Sequence, residues 1–553
     1  MKGLFSSLLL IILHTQLGLS QSIGDWRMHI NYRNSNFGVA GDNKILSAND
    51  KSVLIYNLND GSILTLDKAK GLSDYGVSAI SYDLSSNTFV IAYDNSNIDL
   101  LKGNTLINLP DIKNKLAAGS KTINNIYCKD GIAYLSTDFG VVALDLINEE
   151  VDNTYVIGST GDQTIVLDCS ISQDTIYALT AEGMKKAYLE TGNLLDYSQW
   201  DHSFSSLLGV TAIEMYDDRL YALANNLYLR ANGNWVEVAN AAGRTFSNLT
   251  SSDYLSFVSD AIDVLRYESG MLDTLDTGFL IDPTYSIGYQ GNKYFGDNKF
   301  GLFQGNQSIS TSSSPFTNEG FRAISIGDKI VISSGGFNKN LDGNGNVEGG
   351  FYEFENNQWV NHNIYSSIGT SAPSRDLNRM AFNSFDGKLY VAMFNGLIEF
   401  DFNSIEIYNT TNSPIDSAIG NTFFQKTSGV DVDSEGNVWV VNPQTTAALL
   451  VKSLNGNWTE FVLGNDNSKF NNLLIDSYDQ KWIALRNQGI LIFKEGENMS
   501  STGAQQINLS TDRNQGNLPN NNVNCIAEDK NQQIWIGTDE GIALFTCPRD
   551  IFD

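Results

Sequence analysis

Leu474-Ile475-Asp476-Ser477-Tyr478-Asp479-Gln480-Lys481-Trp482-Ile483-Ala484, closed by Gly489-Ile490-Leu491-Ile492-Phe493, is the stretch that sets the fold class. An apolar strand leads into a polar turn. A second strand opens on an aromatic ring, a Gly/Asn turn follows, and a third strand ends on another aromatic residue. Side chains alternate along each strand, as half-buried β-structure requires. The same unit returns at Val430-Asp431-Val432-Asp433 leading to Val438-Trp439-Val440. It returns again at Cys525-Ile526-Ala527-Glu528-Asp529 leading to Ile534-Trp535-Ile536. Upstream copies carry Tyr in place of Trp.

Aligned on that ring or its β-branched substitute, the unit recurs at Ile45, Val90, Tyr134, Tyr177, Tyr221, Tyr254, Tyr294, Ile330, Tyr390, Trp439, Trp482 and Trp535. A spacing of about 45 residues fits one four-stranded propeller blade. The fold class is therefore all-β, with about twelve blades in tandem β-propellers. One ring closes at four to eight blades, so two rings are expected. The polar stretch Gly305–Thr317 divides the markers into seven and five. The expected organisation is a signal segment at 1–20, a first propeller at 21–305, a linker at 306–317 and a second propeller at 318–553. In this reading Trp439, Trp482 and Trp535 fill wedges between neighbouring blades, and the Asp ahead of each turn caps it.

Composition limits the function. The chain has 553 residues, with 63 acidic and 35 basic side chains and a formal net charge of −28. No Lys/Arg cluster occurs after the N-terminal segment, which argues against nucleic acid and anionic membrane surfaces as partners. Lys2, the apolar run Leu4–Leu13 and the small residues Gly18 and Ser20 read as an export signal cut after Ser20. Later runs of apolar residues are too short for a transmembrane segment. Four cysteines remain in an exported chain: Cys128, Cys169, Cys525 and Cys547. Buried thiols and disulfides both stay open; their spacings match no metal motif, and no nucleophile signature surrounds them.

Few residues suggest site chemistry. Asp342, Asn344, Asn346 and Glu348 place oxygen ligands at alternate positions, a weak calcium candidate set against a flexible insertion. The carboxylate pairs Asp217/Asp218 and Glu149/Glu150 fit solvated turn caps better than glycosidic catalysis. No phosphate loop is present, and no catalytic residue is assigned.

Gly516-Asn517-Leu518-Pro519 through Cys525-Ile526-Ala527-Glu528-Asp529, then Trp535-Ile536-Gly537-Thr538, resembles the two-component-regulator propeller repeat. Trp26-Arg27-Met28-His29, Ala92–Leu101, Pro110-Asp111-Ile112-Lys113 and Lys121–Val141 resemble PorZ-type proteins of the type IX secretion system. The resemblance implies two seven-bladed propellers followed by a β-sandwich. It also implies a non-enzymatic role at the cell surface, with PorU, PorV and PorQ types as partners and cargo anchored to anionic lipopolysaccharide. Against that pattern two blades and the sandwich are wanting, so the second propeller is expected to be incomplete. The alternatives are the ectodomain of a periplasmic sensor and a polysaccharide-active propeller enzyme.

Overall fold

The computed structural model describes residues 26–115, 119–203, 207–240, 245–259, 263–275, 277–309, 313–338, 347–366, 375–464 and 469–552. Among them the chain forms twelve antiparallel sheets, ten of four strands and two of three. Helix is limited to Asp111–Asn114 and short 3-10 turns. Strands follow chain order within each sheet, the meander of a propeller blade. Blades 1–7 span 37–66, 77–109, 123–155, 166–188, 212–239, 246–274 and 283–308. Blades 8–12 span 320–362, 380–408, 429–461, 470–509 and 523–545. The tandem-propeller expectation is borne out. Eleven of the twelve markers lie in the second strand of their blade, and Tyr254 directly precedes its strand, Leu255–Ser259.

The chain divides into two compact units. One holds Ser35–Asp297 and Phe303–Gln307; the other holds Ile30–Asn34, Asn298–Leu302 and Ser308–Asp553. Gln307–Ser308 is the outermost strand of blade 7.

In the first unit the innermost strands of consecutive blades pack side by side, and blade 7 returns to blade 1. Side chains on these strands tether each blade to the next. Asn124 Nδ2 donates to Val166 O at 2.9 Å, and Asp168 Oδ2 accepts from Ile213 N at 2.9 Å. Thr250 Oγ1 donates to Ser286 O at 3.0 Å. Ring closure uses the same device: Thr284 Oγ1 donates to Ser35 O at 2.5 Å, and the Tyr285 hydroxyl lies 2.7 Å from Ser35 Oγ. The buried Tyr285 ring occupies the space a side chain at position 38 would need: a Cβ on Gly38 would fall 2.1 Å from it. Gly38→Ala is therefore expected to loosen the closure and cost the first unit about 1–3 kcal/mol, read as a lower urea midpoint of that unit alone.

The second unit packs blade 8 on 9, 9 on 10, 10 on 11 and 11 on 12. The tether recurs at and just before its innermost strands: Asn378 Nδ2 donates to Ser428 O at 3.0 Å, and Asp431 Oδ2 accepts from Ile475 N at 2.8 Å.

Each Trp-bearing turn is held by one carboxylate. Asp433 accepts from Trp439 Nε1 at 2.8 Å and from the backbone N–H groups of Glu435 and Asn437. Asp476 does the same for Trp482, Tyr478 and Gln480, and Asp529 for Trp535, Asn531 and Gln533. The clasp accounts for the Asp six residues before each Trp: it satisfies the turn and the indole donor together. Trp439 and Trp482 are wholly enclosed, whereas Trp535 is 43% exposed.

Candidate functional site

The first unit encloses a central channel. Two cavities of about 360 and 440 Å³ share Gly38, Ile80, Asn125 and Thr250, and each is lined by residues from all seven blades. The innermost strands build it, because their side chains on one face have only the axis to point toward. No Lys or Arg lines either cavity.

Three carboxyl groups line these cavities: the exposed Asp253, and Asp168 and Glu214 on innermost strands. Asp168 sits on the innermost strand of blade 4, Val166–Ser172, and is 5% exposed. Its Oδ1 accepts from Asn125 Nδ2 at 2.6 Å, while Oδ2 makes the tether to Ile213 N. Glu214, on the innermost strand of blade 5, Ala212–Tyr216, accepts from Ser251 Oγ at 2.8 Å. Burial pushes the Asp168 carboxyl up to about 7, against the hydrogen bonds that favour its charge. Burial, and then the charge of Asp168, push Glu214 up to about 8. The channel therefore becomes more anionic as pH rises through neutrality.

The nearby thiols are inert by environment. Burial pushes Cys128 up to about 12 and raises Cys169 as well, and a thiol held protonated is a poor nucleophile. All four cysteines are free; Cys525 and Cys547 are exposed. A maleimide reagent is expected to label those two rapidly in the native protein and the other two only after unfolding, as counted by intact mass.

The residues singled out from the sequence do not converge. Tyr221 and Tyr390 are buried and Tyr134 and Tyr177 half-buried, each in the second strand of its own blade. Asp217 and Asp218 are exposed in a turn, with φ of 52° and 55°. Glu149 also sits in a turn and pairs with Lys102 at 2.6 Å. Of the calcium set, Asp342, Asn344 and Asn346 lie outside the described residues, and Glu348 accepts from Arg375 Nη2 at 2.6 Å. Among the described residues no cluster of three or more His, Cys, Asp or Glu side chains is arranged to hold a metal ion. No described helix is long and apolar enough to cross a membrane. Sequence reading missed Asp168 and Glu214. The signal is an acid inside an apolar first strand, as in Val166-Leu167-Asp168-Cys169 and Ala212-Ile213-Glu214-Met215.

A closed ring of seven blades around a polar, partly acidic channel is a β-propeller. Residues 45–201 match the family model of the PorZ N-terminal β-propeller domain of type IX secretion, and residues 517–540 match the two-component-regulator propeller repeat. Over that stretch the chain is similar to the PorZ N-terminal propeller domain, which bears out the resemblance read from the sequence. One solved structure is PorZ itself, described as an essential bacterial surface component of the type IX secretion system of Porphyromonas gingivalis. The chain is 19% identical to it with a TM-score of 0.81, covering 94% of this chain and 73% of that one. The extracellular domain of a putative hybrid two-component system from B. thetaiotaomicron is 15% identical with a TM-score of 0.39, over 93% of this chain and 75% of that one. A second such domain from the same organism is 13% identical with a TM-score of 0.33, over 95% and 66%. No curated protein matches the chain.

Proposed function

We propose that this protein is a non-catalytic surface scaffold of type IX secretion. In this reading it works with PorU-, PorV- and PorQ-type partners and supports the sorting of cargo and its anchoring to anionic lipopolysaccharide. The observation that carries the reading is the match of residues 45–201 to the PorZ N-terminal propeller domain. The site agrees with it. Asp168 and Glu214 of the channel are engaged by Asn125, the Ile213 backbone N–H and Ser251, and the channel thiols are held protonated. Large propeller faces suit protein partners, since adjacent blades present many loops on one rigid frame.

The test is isolation of the tagged chain from its host after mild cross-linking of intact cells. Outer-membrane components of type IX secretion are expected in the cross-linked product. Recovery of a sensor kinase in their place would overturn the reading.

A further inference from the structure

The second unit carries a pair of arginines that no acid among the described residues pairs with. Arg322 lies on the innermost strand of blade 8, Gly320–Ile326, and Arg379 directly precedes the innermost strand of blade 9, Met380–Asn383. Arg322 stands opposite Ser333 in its sheet, and Ser333 Oγ donates to Asn378 O at 2.8 Å, which brings Arg322 and Arg379 to neighbouring positions on the packed strands. Burial and the positive charge of Arg322 hold the Arg379 guanidinium down at about 10. The one group acting on Arg379 in the opposite direction is the thiol of Cys525, from the innermost strand of blade 12, Val523–Glu528. Arg322 lays its guanidinium 5.3 Å from the centre of the Phe321 ring, and its Nε is buried without a hydrogen bond.

Five other cations of this unit are matched, while Lys494, Arg513, Lys530 and Arg549 are exposed to water. Lys329 pairs with Glu353, Lys388 and Lys452 with Glu399, Arg375 with Glu348, and Lys481 with Glu495. Among the described residues neither Arg322 nor Arg379 has a carboxylate within ion-pair distance. Scarcity of acids is not the reason, because the chain has 63 of them against 35 bases. Taking a guanidinium out of water without a counter-ion is unfavourable, and placing a second beside it adds repulsion. A planar oxyanion between them removes both penalties, and the guanidinium fork matches carboxylate and phosphate geometry.

We propose that Arg322 and Arg379 form a binding site for an oxyanion, a carboxylate or phosphate group, at the inner edge of blades 8 and 9. The channel of the first unit has no equivalent, since no basic residue lines it. The inference stands on the arginine pair alone and does not depend on the secretion reading.

The test uses the whole chain at low ionic strength. Inorganic phosphate and malonate are titrated calorimetrically against sodium chloride of matched ionic strength, and thermal unfolding is followed in parallel. Saturable binding of one or both is expected, with Kd about 1 mM or tighter; the tighter of the two identifies the group. Arg379→Gln is expected to weaken that binding at least tenfold. In anion-free buffer it is expected to raise the melting temperature of the second unit, because the repulsion and the desolvation go. Arg379→Lys keeps the charge but loses the fork, so it also weakens binding, without the full gain in melting temperature. If Arg379→Gln does not fold, Arg322→Gln is read by the same criteria. The proposal is overturned if neither anion binds above chloride, or if the Gln variant binds as the wild type does. A Gln variant that melts lower and binds unchanged would show a packing role instead.

Discussion

Trp482→Ala is expected to destabilise the second unit by about 3–5 kcal/mol, the cost of emptying a large buried aromatic site. Trp482 is fully enclosed, lies between the apolar layers of blades 11 and 12, and meets Phe545 edge-on at 5.6 Å. Its loss also leaves the buried Asp476 without the indole donor, and burial already raises that carboxyl. The same change at Trp535 removes a ring that is 43% exposed, and its clasp Asp529 faces water. There the expected cost is about 1 kcal/mol or less. Urea unfolding of both variants checks the pair. Equal losses would mean that the repeat aromatic acts through something other than burial between blades.

The second large effect is on pH dependence of the first unit. Asp168 and Glu214 are raised to about 7 and 8 in the fold, whereas unfolded carboxyls titrate near 4. The folded state therefore holds these protons more tightly. Their contribution is full below pH of about 4 and is lost as pH rises through about 7 to 8. Lowering pH from 8.5 to 5.5 should stabilise the first unit by on the order of 5 kcal/mol, since each tenfold difference in proton affinity between folded and unfolded chain is worth about 1.4 kcal/mol. Asp74 acts with the opposite sign, since its hydrogen bonds and Lys113 hold it at about 2, but it titrates below this window. Asp168→Asn should remove part of the gain, and Glu214→Gln the larger part, since burial is the main cause of its shift. A wild-type unfolding midpoint that falls on acidification over this range would contradict the assignment.

Much of the fold was legible because a propeller repeats its signals. Trp482 and its Asp six residues earlier announce a blade, and the copies at Trp439 and Trp535 confirm the period within 100 residues. Even weak copies such as Ile330 fell in the correct strand, since the turn residues around them fixed the register. What separates Trp482 from Trp535, by contrast, is whether sheets flank the ring on both sides. That is a property of the assembled blades and not of the local pattern.

The sites were less legible for a physical reason. Asp168 and Glu214 are single acids in separate blades, 46 residues apart, and only ring closure puts both in one wall. Arg322 and Arg379 are likewise 57 residues apart, and no local sequence signal links them. Pairs of adjacent acids such as Asp217/Asp218 attract attention in a sequence, yet both lie exposed in the turn of a single blade. A convergent site in a propeller is built from one residue per blade, at intervals near the blade period.

The proposed scaffold role is tested most directly in the host. The gene is deleted in frame and then restored, and cargo is quantified on washed cells and in the medium. Loss of surface-attached cargo, with recovery on complementation, is the expected result. Unchanged secretion and attachment in the deletion strain would contradict the account.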